Sequence, residues 1–346
     1  MTIINGDCLV EMRKMDANSI TGIVTDPPYG LSFMGKGWDH GIPGTEYWAE
    51  CLRIAKPGAH LLAFGGTRTF HRLTCAIEDA GWEVRDCISW LYGSGFPKSH
   101  NFGKQLGGEW AGFGTALKPA WEPILVCMKP LEGTFAQNAE KHGVAGINVD
   151  GCRVGISRRL PHSPSKNNCG VGWITNPGEQ PKDWNANKGR WPSNLLLDRE
   201  AGAMLDQQTG ILKSGSGDKH SKTQLGGYEG GFKPLSGIRE YSSDSGGASR
   251  FFYCPKASSA ERNRGEAENV HPCVKPLRLM EYLITLIAPP RDAIILDPFM
   301  GSGTTLLAAQ NLGIKCIGIE QSADYCEIAK ARLNCGSNYI RGVVNG

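Results

Sequence analysis

"ILDPFMGSGTT", Ile295–Thr305, reads as the end of a buried strand, a glycine-bearing turn and the start of a helix. Gly301 and Gly303 let the backbone come close to a ligand, and the first N–H groups of the helix offer donors to something anionic. A tight turn in any parallel sheet would look similar. The third glycine of the dinucleotide fingerprint is missing, because Leu306 stands in its place, which argues against a bound pyrophosphate. Seventeen residues after Gly303, Glu320 closes the next strand, "KCIGIE". An acid there suits the two hydroxyls of a ribose; alternatively it caps the helix in "SADYCEIAKARLN". Together the turn and the acid imply a ligand with a nucleoside and a carboxylate but no phosphate.

Outward from this unit, the helix pattern "PLRLMEYLITLIAPP" and the strand "DAIILD" precede it. At the other end of the chain, "TIIN", "ITGIVT" and "AHLLAFGG" read as strands, with amphipathic helices over 45–55 and 67–80. The alternation predicts an α/β fold with a mostly parallel sheet and helices on both faces. Two further apolar runs, "EVRDCISWLY" and "WEPILVCMKP", flank a glycine-rich and basic loop. From 131 to about 247 the apolar periodicity fades into glycine, serine, asparagine and tryptophan, as expected for a functional insertion or partial disorder. Within it, Arg153, Arg158, Arg159, Lys166, Lys182, Lys188 and Arg190 face only Glu179 and Asp183. The expected organisation is a first half over 1–130, a loop-rich insertion over 131–250 and a second half over 251–346.

The 346 residues suffice for one large domain with an insertion or for two domains, and 40% hydrophobic content is ordinary for a globular chain. Net charge is only +3, from 37 basic and 34 acidic residues, so affinity for nucleic acid has to come from local clusters such as the one above. Twelve cysteines without a CxxC pair, and a start, "MTIINGDCLVEMRK", without a secretory core, read as reduced thiols in a cytoplasmic protein with no metal site. No run approaches the roughly 18 apolar residues of a membrane helix.

"TDPPYG", Thr25–Gly30, ends the second strand. Two prolines cannot continue a strand, so they fix a rigid turn carrying Asp26 and Tyr29. With the glycine turn, this resembles the amino-group DNA methyltransferases that methylate adenine N6 or cytosine N4, in the permuted β-class order. Their catalytic motif [DNS]PP[YFW] matches Asp26-Pro27-Pro28-Tyr29; their cofactor motif matches Asp297 to Thr304; their HPxxKP segment matches His271 to Pro276. The resemblance covers about 1–130 and 250–346.

It implies a circularly permuted, Rossmann-like methyltransferase fold that binds S-adenosyl-L-methionine, with 131–250 as the target-recognition region. The strand following Glu320 in the fold would then come from "TIINGDC", bringing Asp7 and Cys8 to the cofactor adenine, although Asp7 serves equally well as a helix cap. The cofactor residues implied are Asp7, Cys8, His271, Lys275, Pro276, Asp297, Phe299, Gly301, Ser302, Gly303, Thr304, Thr305 and Glu320. Lys275 would lie near the methionine part, or stay solvated before a helix beginning at Pro276.

The motif also has a chemical rationale. An exocyclic amine is a poor nucleophile because its lone pair is delocalised into the ring. Two rigid acceptors, the Asp26 carboxylate and a backbone carbonyl of the Pro27-Pro28 turn, can take its hydrogens and free the lone pair. Tyr29 can stack on a base that has left the duplex. The resemblance implies adenine N6, since in that family the motif with Asp at its first position goes with adenine more often than with cytosine, and cytosine N4 is the alternative; a protein or RNA amide or amine methyltransferase and a non-catalytic DNA-binding module are the readings from other classes. Double-stranded DNA is the expected partner, contacted through Lys98, Lys118, Arg153, Arg158, Arg159, Lys166 and Arg190. The protein would act as a monomer or homodimer, alone or paired with a separate restriction endonuclease.

Overall fold

The structure is a computed structural model that describes residues 1–31, 41–95, 99–155, 189–213, 245–254 and 275–343. In chain order its elements are β1 (Thr2–Asn5), α1 (Cys8–Arg13), β2 (Ile20–Thr25), α2 (Thr45–Ile54), β3 (Ala55–Phe64), α3 (Phe70–Asp79), β4 (Glu83–Leu91), α4 (Gly103–Leu106), β5 (Trp121–Met128), α5 (Phe135–His142), β6 (Leu195–Leu197), α6 (Arg199–Thr209), β7 (Leu212–Lys213), β8 (Ser245–Gly246), α7 (Leu277–Ile287), β9 (Ile294–Asp297), α8 (Thr304–Asn311), β10 (Lys315–Glu320) and α9 (Ala323–Val343).

Eight strands form one sheet in the order β1-β10-β9-β2-β3-β5-β4-β6. All neighbours are parallel except at β5, which runs antiparallel to both β3 and β4. The parallel core carries continuous apolar runs because both of its faces are covered. Along β3 the pleat alternates: Leu61 and Ala63 join a core with Met12, Trp48, Ile54, Leu73 and Ile77 of α1–α3. Leu62 and Phe64 join the opposite core, with Leu283, Ile287, Leu307 and Ala329 of α7–α9. The doubly covered, mostly parallel sheet read from the sequence is therefore present.

So is the permutation. β1, the start of the chain, lies parallel beside β10 with Asn5 opposite Glu320. Asn5 Nδ2 donates to the carbonyls of Glu320 at 2.9 Å and Gln321 at 3.1 Å, and the Gly6 N–H donates to the former at 3.0 Å. The two halves meet where β2 pairs with β9, Gly22 opposite Ile295 and Ile23 opposite Leu296. Gly22 packs closely there: a Cβ would sit 2.9 Å from Ile287 Cδ1 and press on the end of that side chain.

The stretch expected to be loop-rich contains ordered elements where it is described. Thr134 and Gln137 form a capping box at the start of α5, and Gly143 ends that helix with φ of 76°. β6 adds three residues to the edge of the central sheet, beside β4. Asp198 then caps α6, accepting from the Ala201 N–H at 2.6 Å. Between β4 and β5 the chain makes an excursion in which Trp110 packs tilted against Phe102 and edge-on against Phe113.

Candidate active site

The Asp26–Tyr29 turn follows β2 directly, at the carboxyl end of the sheet, where loops of parallel strands gather binding groups. Gly30 follows with φ of 67°; a Cβ there would lie 3.1 Å from the Ile42 nitrogen, so the turn needs glycine. Thr69 Oγ1 donates to the Tyr29 carbonyl at 2.7 Å and pins the turn to the chain entering α3.

Two side chains from distant parts of the chain, Glu122 and Lys275, converge on Asp26 and Tyr29 of this turn. The Tyr29 hydroxyl lies 2.8 Å from Asp26 Oδ1 and 3.1 Å from Glu122 Oε2, so its one proton is shared between two carboxylates. Lys275 Nζ lies 3.1 Å from Asp26 Oδ2, 2.8 Å from Glu122 Oε2 and 3.0 Å from the Tyr29 hydroxyl. It also sits over the Phe64 ring at 4.8 Å and the Tyr29 ring at 5.3 Å. The lysine side chain is only 10% exposed and that of Asp26 is 23% exposed. Burial pushes the Asp26 carboxyl above its usual range; Lys275 opposes this and Glu122 reinforces it. Burial likewise raises Tyr29, with both carboxylates adding to the effect. For Lys275 burial pulls downward, but Asp26 and Glu122 more than offset it and hold the ammonium charged.

The glycine turn lies across the β2–β9 seam. Asp297 is buried and accepts from Thr25 Oγ1 at 2.7 Å, from the Phe299 N–H at 3.1 Å and from Thr305 Oγ1. Its carboxylate thus ties β2, the turn and α8 together, and burial pushes it up to about 6 against those hydrogen bonds. Gly301 has φ of 52° and Gly303 of 79°. A Cβ on Gly303 would come 2.8 Å from Ala329 Cβ, so this glycine serves the packing of α8 against α9. Ser302 and Thr304 turn inward to Arg332, whose Nη1 donates to Ser302 O at 2.6 Å, Ser302 Oγ at 2.9 Å and Thr304 Oγ1 at 3.2 Å. No side chain caps α8, leaving its first-turn N–H groups uncapped.

Glu320 holds the turn from the neighbouring strand, accepting from the Gly301 N–H at 3.1 Å and the Ser322 N–H at 2.8 Å. Burial raises its carboxyl above the usual range, so further hydroxyl donors would stabilise its ionised form. Asp7 caps α1 through the Val10 N–H at 3.0 Å, as one of its two readings expects. Cys8 beside it is buried, and burial together with Asp7 pushes the thiol up to about 12. Phe299 stands between Tyr47 and Trp48, its ring 6.2 Å from each. A half-buried carboxylate, an uncapped helix start and aromatic walls fit a nucleoside that carries an amino-acid group.

Pro276 is the residue before α7 rather than its first turn, and Lys275 is buried in the carboxylate cluster rather than solvated. Among the expected DNA contacts, Lys118 is exposed, with Nζ donating to Gly93 O at 2.5 Å. Arg153 pairs with Asp150 at 2.8 Å and covers the Trp191 ring at 5.3 Å. Arg190 corrects the expectation: it is buried, donates to Arg250 O at 2.9 Å and lies over Phe251, so its guanidinium is committed inside the fold. Lys98, Arg158, Arg159, Lys166 and His271 lie outside the described residues.

Two site residues went unread in the sequence. Glu122 is the second residue of β5 and is 153 residues from its lysine partner, with no local pattern to mark it. Arg332 had a signal: it follows Cys326 and Ala329 at helical spacing, on the buried stripe of α9.

A family model described as DNA methylase matches residues 20–331. The Type II methyltransferase M.HindIII of Haemophilus influenzae is 25% identical over 390 aligned residues, covering 97% of this chain and 96% of that protein. The Type II methyltransferase M.ScaI of Streptomyces caespitosus is 40% identical over 79 residues, 23% of this chain and 26% of that one. Among solved structures, the PvuII DNA methyltransferase, described as cytosine-N4-specific, aligns with a TM-score of 0.49 and 14% identity, covering 99% of this chain and 92% of that chain.

Proposed function

The chain belongs to the N6/N4 DNA methylase family, S-adenosylmethionine-dependent DNA methyltransferases, and from that premise we propose that it methylates the exocyclic N6 of adenine in a base turned out of the duplex. The observation that carries this reading is the Asp26 carboxylate, held between Tyr29 and Lys275 on a proline-fixed turn. Bound S-adenosylmethionine supplies an electrophilic methyl group. Asp26 and a carbonyl of the Pro27–Pro28 turn accept the hydrogens of the amine, and the rigid turn keeps both acceptors aimed without reorganisation. Tyr29 offers a ring face to the base. Because its hydroxyl is anchored at 2.8 Å, that ring is presented in one orientation.

On the cofactor side, Glu320 would take the ribose hydroxyls, Asp7 and Cys8 the adenine edge, and the Phe299–Thr305 turn the amino-acid end, with Asp297 ordering the turn from behind. His271, Lys275 and Pro276 would close the methionine side. Arg153, Arg158, Arg159 and Lys166, in a target-recognition region over 131–250, would contact phosphates, joined by Lys98 and Lys118 from the first half of the chain. The likeness to a Type II methyltransferase over nearly its whole length supports pairing with a site-specific endonuclease. Among the described residues no helix is long and apolar enough to cross a membrane.

The test is incubation with unmethylated plasmid DNA and labelled S-adenosylmethionine, then nucleoside digestion and mass spectrometry. N6-methyladenine is the expected product. N4-methylcytosine would keep the chemistry and change the base, whereas unlabelled DNA would overturn the reading.

A further inference from the structure

We propose that Glu122 is a positioning residue of the transfer centre: by sharing Lys275 and the Tyr29 hydroxyl with Asp26, it keeps Asp26 able to accept the hydrogens of the target amine. The inference rests on the role given to Asp26 above, and adds to it a residue that no motif contains. Lys275 Nζ is nearer to Glu122, at 2.8 Å, than to Asp26, at 3.1 Å. Each Asp26 oxygen has one partner in the cluster, Tyr29 on Oδ1 and Lys275 on Oδ2. A carboxylate oxygen accepts at about two positions, so each retains capacity for an amine hydrogen.

Without the Glu122 carboxylate this balance fails. Lys275 would be left with Asp26 as its only carboxylate partner in the cluster and would close on it. A tight, buried pair of that kind is a weaker base and a poorer acceptor. The formal charge points the same way. Two carboxylates and one ammonium leave the centre at minus one, which favours the positive charge that would develop on the amine nitrogen as its lone pair bonds the methyl carbon and the methyl–sulfur bond of the cofactor breaks, that electron pair staying on sulfur. That nitrogen then loses one hydrogen as a proton, which Asp26 accepts and passes to solvent, returning the centre to its starting charge. The groups facing Asp26 from neighbouring elements are Lys275 before α7, Glu122 on β5 and Asp297 on β9, with Tyr29 on its own turn. Tyr92, after β4, is pushed up to about 12 by its burial and then by Glu122, so it stays neutral beside them.

Single-turnover kinetics of Glu122→Gln across pH test this. Expected are a fall in the rate at saturating DNA of about 10- to 100-fold, a KM for DNA within about twofold, and an acid limb displaced to lower pH by about one unit. Cofactor affinity by calorimetry should be unchanged. Glu122→Asp, which keeps the charge, should recover part of the rate and return the limb towards wild type; it also serves if the glutamine variant does not fold. A wild-type rate with an unmoved acid limb would overturn the proposal, and so would a slower rate without a shift in the limb, which marks a merely structural residue. If the wild-type protein itself leaves DNA unmethylated, the transfer reading fails first and the role of Glu122 falls with it.

Discussion

At Asp297, burial and hydrogen bonding pull in opposite directions, and burial wins: the carboxyl rises from 3.8 to about 6. The folded protein therefore binds this proton more tightly than the unfolded chain does, and stability falls as pH climbs through the window from about 4 to 6. Asp297→Asn removes the titration while keeping the shape. Urea unfolding at pH 4 and pH 7 should show the wild type losing about 1–3 kcal/mol relative to the variant across that window; parallel pH profiles would show that Asp297 is not the titrating group. Asp26 calls for a functional readout instead. Asp26→Asn should lower transfer about 100- to 1,000-fold while leaving cofactor affinity within about threefold, by rapid-quench kinetics and calorimetry. Equal turnover in the variant would remove Asp26 from the chemistry. Of these residues, the Asp-Pro-Pro-Tyr turn was legible because proline and glycine write their constraints into the local sequence. Glu122 was not, because an acid at the start of a strand looks like a solvated one until a lysine 153 residues away folds onto it.

Among the elements, α8 and α9 owe their close approach to Gly303, which has φ of 79° and a prospective Cβ 2.8 Å from Ala329. Gly303→Ala incurs both backbone strain and a contact with no room to relax, and should destabilise by about 2–3 kcal/mol in urea unfolding. A neutral result would mean the helices can part without loss. Arg332, on α9, sets two terms against each other. Its Nε finds no acceptor among the described residues, so its burial is costly, yet Nη1 holds the Ser302–Thr304 turn by three hydrogen bonds. Arg332→Met should therefore change stability by less than about 1 kcal/mol while weakening S-adenosylmethionine binding about tenfold; unchanged affinity in a calorimetric titration would leave the turn independent of its tie. The helix pattern of α7 and the apolar run of β2 could be read directly. β6, with its three leucines Leu195–Leu197, could not, because a run that short carries no period. The reversed direction of β5 was equally hidden, since apolar content reports burial and not polarity of the chain.

Across the whole molecule, the permutation sets the first residues of the chain beside β10, next to the carboxylate proposed to take the cofactor ribose. Asn5 and Gly6 hold the carbonyl of Glu320, which is more than 300 residues away. Removing residues 1–5 should weaken cofactor binding at least about tenfold with helix content by circular dichroism retained; undiminished affinity would detach β1 from the site. The swap of halves was readable from the order of the motifs, with "TIIN" standing first, whereas the burial of Arg190 was not, because a guanidinium inside the fold and one on the surface have the same sequence. The sheet itself tapers, from ten residues in β3 to four in β1 at one rim and three in β6 at the other. A rim that short presents few unpaired amides to another chain. Concentrated protein should thus resist strand-by-strand polymerisation, and its colloidal behaviour will be governed instead by the aromatic excursion, where Trp110, Phe113 and Leu117 stand exposed.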